Sequence, residues 1–175
     1  FLCSRPECTH RDDSCTSWIP NTNGGIFLMV QEDSLYFFQI GGSRQNPTEE
    51  DLMHLWRMDL DGSNRELLYT FDNLHHLDAG VASDGETLYF PVDSWSEDLS
   101  QCDIKLGAFH LETKEFELLC DLNDVTFIGC SGSELFFTKI TKEAAHPETL
   151  DDFAKNPVSG VNTFQFTALD VNTLE

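Results

Sequence analysis

Four residues near the start of the sequence carry side chains that could bind a metal ion or form disulfide bonds. Three thiols and one imidazole lie within 13 residues, at Cys3, Cys8, His10 and Cys15. Such a set could hold a tetrahedral Zn²⁺ ion. The spacing as a whole does not match the common zinc-finger patterns, and the same thiols could form disulfides or stay free. From the sequence alone, disulfides are favoured and a metal is the alternative.

The chain contains six cysteines in all, the others being Cys102, Cys120 and Cys130. An even number, with three close together, is typical of proteins from oxidising compartments. The spacing does not choose among the possible pairings. We therefore expect an oxidising compartment outside the cytoplasm.

The composition restricts the class of partner. Among 175 residues, 31 are acidic and 10 are basic, which gives a formal charge of −21. A surface this acidic repels nucleic-acid phosphates and anionic lipid headgroups, whereas cations and basic partners remain compatible with it. No apolar run approaches the roughly 18 residues that a transmembrane helix needs.

A repeated hairpin pattern predicts the architecture. A leucine is followed six residues later by a glutamate in three places, beginning at Leu60, Leu111 and Leu169. The strands before these hairpins are anchored at Leu35, Leu88 and Leu135, so the repeat is about 45–50 residues long. Four strands in a unit of that length are typical of β-propeller blades. A β-sandwich is the alternative, but it needs no internal repeat.

We therefore expect an all-β fold of about three four-stranded antiparallel units, the last incomplete, with a short helix in a loop insertion near 146–155. Thr48 is predicted to begin a helical turn. Further blades of the same chain, or a second copy in a homodimer, are expected to complete a larger ring. The predicted divisions are a strand remnant with a Cys-rich loop at 1–24, blades at 25–74 and 75–124, and an incomplete blade at 125–175.

Three stretches resemble a known family. The sequence from Ser83 to Phe90 resembles the blade signature of TolB-type β-propellers. The sequence from Leu55 to Asn64 is similar to an element of bacterial extracytoplasmic propellers, often lipoproteins, and the stretch from Leu2 to Cys15 is similar to their Cys-rich loop. The resemblance implies a propeller of more blades than this chain supplies, located at the cell surface, lipid-anchored or secreted. It implies no catalytic residues, because the group is mostly uncharacterised.

The longest connections are predicted to lie on one face of the propeller, where function would concentrate. They are the second-to-third-strand loops at 41–54, 93–101 and 141–160 and the connections at 1–24 and 71–78. The candidate binding residues on this face are Trp95, Arg44, His75, His76, Glu49, Glu50 and His146.

The sequence predicts binding or scaffolding, with a protein, peptide or glycan recognised by this face. The alternative is a glycan hydrolase or lyase that uses acidic loop residues as general acid and base. His75 and His76 are interpreted as a polar linker between blades, and Asp61 and Gly62 as a hairpin turn. No cofactor is expected apart from Zn²⁺ at the Cys/His loop.

Overall fold

The computed structural model shows an all-β fold of three antiparallel sheets, which confirms the fold class. No helix within the described residues is long and apolar enough to cross a membrane. The structure describes residues 3, 5–12, 14–16, 18–19, 26–40, 47–78, 80–122, 124–142, 163–171 and 173.

The first sheet is a four-stranded meander in the order β1-β2-β3-β4. Its strands are β1 (Ile26–Gln31), β2 (Ser34–Gln39), β3 (His54–Asp59) and β4 (Glu66–Thr70). A 3₁₀ turn at Glu49–Asp51 precedes β3, and the Thr48 N–H and hydroxyl both donate to the Asp51 carboxylate, at 3.0 and 2.8 Å. The predicted cap at Thr48 is confirmed, whereas the helix expected near 146–155 lies outside the described residues.

The second sheet has a divided first strand. Its strands are β5 (His75–Leu77), β6 (Ala82–Ser83), β7 (Thr87–Trp95), β8 (Cys102–His110) and β9 (Glu115–Asp121). Both β5 and β6 pair with β7, and Pro91 lies between the two pairings. The Pro91 carbonyl accepts a hydrogen bond from the Asp78 N–H, on the side of β7 where β5 and β6 pair. The Pro91 nitrogen points to the same side and has no hydrogen to donate, so it faces the interruption between β5 and β6.

The third sheet contains three strands within the described residues, in the order β10-β11-β12. They are β10 (Thr126–Ser131), β11 (Glu134–Lys142) and β12 (Thr163–Asp170).

A repeated Leu-aromatic-Phe sequence stacks the sheets. Because side chains alternate across a strand, the leucine and phenylalanine point to one side and the central aromatic to the other. Leu88 and Phe90 of β7 pack against the first sheet, while Tyr89 packs against the third. Leu135 and Phe137 of β11 face the second sheet in the same way. The sequence therefore fixes the stacking order first–second–third.

The two outer faces of this stack are partly uncovered apolar surfaces. On the first sheet, Leu28 is 56% exposed and Val30 is 60% exposed. On the third sheet, Phe166 is 74% exposed, beside the exposed Phe164 and Ile140.

Candidate metal centre and loop edge

The thiols of Cys3, Cys8 and Cys15 and the imidazole of His10 converge on one point. Their ligand atoms all lie within 4.8 Å of one another. In a tetrahedral Zn²⁺ site with Zn–S bonds of about 2.3 Å, neighbouring sulfur atoms lie about 3.8 Å apart. The four side chains are therefore close enough to bind one metal ion.

Backbone amides support two of the sulfur atoms. The Arg5 N–H donates to the Cys3 sulfur, and this hydrogen bond, which outweighs burial, lowers the pKa of Cys3. The His10 N–H donates in the same way to Cys8, but burial and the neighbouring thiols outweigh it and raise the pKa of Cys8. Amide donors two residues after each sulfur stabilise thiolates, the form that binds metals.

His10 is held by its backbone as well as by its ring. Its φ of 53° lies in the left-handed region, which residues other than glycine seldom adopt. The Nδ1 atom lies 3.1 Å from the Cys15 sulfur, and this contact raises the pKa of His10. A metal ion bound here would replace the proton on that nitrogen, because histidine ligates in its neutral form.

Two arginines that the sequence reasoning missed support this loop. The Arg5 guanidinium donates to the Ser14 carbonyl and lies 3.6 Å from the Cys8 sulfur. Arg65 donates through one nitrogen to the carbonyls of Thr16 and Trp18, at 3.1 and 2.7 Å. Three thiolates and one Zn²⁺ would carry a net charge of −1, which these two guanidinium groups would stabilise. The position of Arg5 between two cysteines was the available sequence signal.

The loop does not lie where the sequence analysis placed it. We expected residues 1–24 on the face that carries the long connections, but Thr16 bonds to the Asp61 carbonyl in the β3–β4 turn. That turn lies at the opposite end of the strands. The contacts of Arg65 hold the loop there, and a pairing across almost 50 residues of sequence has no local signature.

The disulfide expectation is unconfirmed. All six cysteines are described, and all carry free thiols in the structure. Cys102, Cys120 and Cys130 lie on β8, β9 and β10, in the second and third sheets. The cysteines of the loop instead face one another and His10.

The other candidate region is the loop edge, where β2, β7 and β11 end and β3, β8 and β12 begin. Trp95, at the end of β7, is half-buried and lies opposite Cys102, while its backbone N–H donates to the Leu74 carbonyl. Glu49 and Glu50 are exposed on the 3₁₀ turn before β3. Arg44 and His146 lie outside the described residues.

The interpretation of His75 and His76 as a linker is wrong, because both lie in β5, paired with Ser94 and Asp93. Alternation along this strand sends the two rings to opposite faces of the sheet. His75 Nδ1 lies 2.7 Å from Asp72 Oδ1, and its ring packs on Phe116.

A carboxylate after β5, opposite Pro91 in the middle of β7, has an altered acidity. Burial, reinforced by the charge of Asp93, raises the pKa of Asp78. A carboxylic acid with a raised pKa can donate a proton in acid-base chemistry. The sequence pattern His75-His76-x-Asp78 allowed an acid-base role for this residue, but a polar linker was the favoured interpretation.

Comparison with known proteins gives little further information. No protein-family model matches the sequence. No curated protein matches it either. The crystal structure of TolB from Acinetobacter baumannii is distantly similar, with a TM-score of 0.46 and 11% sequence identity. The similarity covers 82% of this chain but 28% of the TolB chain.

Proposed function

We propose that Cys3, Cys8, His10 and Cys15 bind one structural Zn²⁺ ion. The convergence of four ligand atoms within 4.8 Å carries this proposal. Three sulfurs and one nitrogen suit zinc, and four protein ligands leave no open position for a substrate. The ion would therefore hold the loop in shape and would perform no catalysis.

Beyond the metal centre, we propose that the chain is part of an extracytoplasmic binding β-propeller. Its loop edge would recognise a protein, peptide or glycan. The support is the difference in length between the connections at the two edges of the sheets. At the loop edge, residues 40–53 join β2 to β3 and residues 143–162 join β11 to β12. At the opposite edge, two-residue turns join β1 to β2 and β10 to β11. The location outside the cytoplasm stays a prediction, which cell fractionation of the source organism can test.

Trp95 is the best candidate for a contact with ligand at the loop edge. We expect Trp95→Ala to reduce binding of a hit from glycan and peptide arrays by at least about tenfold, because aromatic residues dominate binding energies. Leu111→Ala, at the opposite end of the second sheet, should leave the affinity unchanged. Equal affinities for both variants and the wild type, measured by calorimetry, would place recognition elsewhere.

The hydrolase or lyase alternative would use exposed acidic residues, such as Glu49, Glu50 and Asp78, as general acid and base. The same array experiment separates the two functions. Shortened glycans recovered after incubation with the protein would favour catalysis, and unchanged glycans would favour binding alone.

We further propose that another sheet of the same repeat covers the outer face of the third sheet. Tyr36 and Tyr89, each following an anchor leucine, are buried by the next sheet in the stack. Phe136 occupies the same place in the repeat and is only half-buried. Either a further blade of the same chain or a second copy would supply the missing contact.

The second copy has a direct test. If this face joins two copies, Phe166→Glu should shift sedimentation from dimer to monomer, because the carboxylate would be buried in an apolar contact. Gln165→Glu adds the same charge to the other face of β12 and should leave the dimer intact. A wild-type chain that stays monomeric at all concentrations would contradict the second copy.

A further inference from the structure

The outer face of the first sheet has a buried half and an exposed half. Leu35, Phe37 and Met58 form an apolar cluster and are at most 5% exposed. Their neighbours Leu28 and Val30 on β1 lie directly opposite Phe37 and Leu35, yet both are more than half exposed. Something therefore covers one half of this face and leaves the other open.

The covering group comes from the Cys-rich loop. Ile19, four residues after Cys15, packs on the cluster, together with Trp56 of the same sheet. The Trp56 ring stacks on Phe37, with ring centroids 6.2 Å apart and planes 9° apart. Within the described residues, no other sheet lies on this side.

Arg65 connects the loop to the covered face. Its guanidinium donates to the carbonyls of Thr16 and Trp18, which belong to the segment that leads to Ile19. The same guanidinium carbon lies 5.8 Å from the centroid of the Phe37 ring. Burial lowers the pKa of Arg65, and a negative charge on Cys15 opposes this shift. The Arg65 side chain thus contacts the apolar face and the loop backbone, and it interacts electrostatically with Cys15, a candidate metal ligand.

The loop has few backbone contacts that would hold this shape without its side chains. Its described backbone hydrogen bonds are local turns, such as Cys8 to Arg5 and Cys15 to Asp12. Short turns without a ladder or a long helix are weakly stable by themselves. A metal ion bound by Cys3, Cys8, His10 and Cys15 would therefore fix the position of the carbonyls that Arg65 binds.

We infer that Arg65 couples the metal loop to the first sheet, so that metal occupancy decides whether the Leu35–Phe37–Met58 face is covered. This inference rests on the proposed zinc centre. Metal bound at the loop places the carbonyls of Thr16 and Trp18 for Arg65 and brings Ile19 onto the apolar face. Loss of the metal releases this cover.

The test combines zinc affinity with hydrogen exchange in the full chain. Arg65→Met keeps an apolar stem over Phe37 but removes the donors, and we expect Zn²⁺ affinity to fall about tenfold, as for other groups that support metal ligands. Arg65→Lys retains a charged donor and should restore part of the affinity. Arg57→Met, which removes an arginine of β3 that bonds to Ser34, is the matched control and should bind as the wild type does.

In the wild type, a zinc chelator should increase amide exchange both in the loop at 14–19 and in β2. In Arg65→Met, exchange at β2 should be high with or without chelator. Wild-type zinc affinity in Arg65→Met, or an unchanged β2 after chelation of the wild type, would overturn the coupling while leaving the zinc centre intact. A wild-type chain that binds no zinc would overturn both. If Arg65→Met fails to fold, the chelator experiment on the wild type still decides.

Discussion

Replacing Cys15 with serine should weaken Zn²⁺ binding by at least about 100-fold. Losing a residue that only hydrogen-bonds to a metal ligand typically costs about 10- to 100-fold, and the loss of a ligand itself should exceed that. Cys15 is only 2% exposed and lies 3.1 Å from the His10 ring, so a serine there removes a buried sulfur from the centre of the cluster. The remaining two thiols and one imidazole would form an incomplete site. Competition with a chromogenic chelator measures the affinity.

The control for this variant is Cys102→Ser. Cys102 is an exposed thiol at the start of β8 and lies outside the cluster, so its loss should leave zinc affinity unchanged. Equal losses from the two substitutions would show that the chain binds zinc through its thiols in general and not through this cluster. No effect of either would remove Cys15 from the metal centre.

Replacing Phe90 with alanine should lower the free energy of unfolding by about 3–5 kcal/mol. Phe90 is fully buried between the first and second sheets, where its ring lies 4.7 Å from Phe38 and stacks on Phe116 at 5.9 Å. Removing it leaves a cavity that the rigid sheets on both sides cannot close. Because domains are stable by only about 5–15 kcal/mol, the loss takes a large part of the total.

Urea unfolding measures this change, with Leu60→Ala as the control. Leu60 is 42% exposed in the β3–β4 turn, and its truncation should change stability by about 0.5 kcal/mol or less. A Phe90→Ala variant within about 1 kcal/mol of the wild type would show that the first two sheets do not pack through this ring.

The second long strand of each repeat could be predicted because it carries its own local signal. The Leu-aromatic-Phe sequences at Leu35, Leu88 and Leu135 combine apolar runs with turn residues, and they mark β2, β7 and β11. The strand β5 was missed because His75 and His76 look polar in a short segment. Only Leu77 in that strand is buried, and one apolar residue gives no periodicity.

The metal cluster could be recognised as a candidate from residue types, but its place in the fold could not. The loop lies against the β3–β4 turn because Arg65, in that turn, binds its backbone. A lone arginine in a hairpin turn predicts no such contact. Spacing alone also could not choose between metal and disulfide, because both chemistries use the same thiols. The geometry, which brings His10 within reach of all three sulfurs, supports the proposed metal centre.

Native mass spectrometry of the purified wild-type chain tests the zinc centre most directly. The account predicts one zinc ion per chain in the folded protein, with zinc released and all six thiols open to alkylation after acid denaturation without reductant. A chain that carries no zinc after exposure to it, and whose loop cysteines resist alkylation until a reductant is added, would contradict the metal centre and favour disulfides.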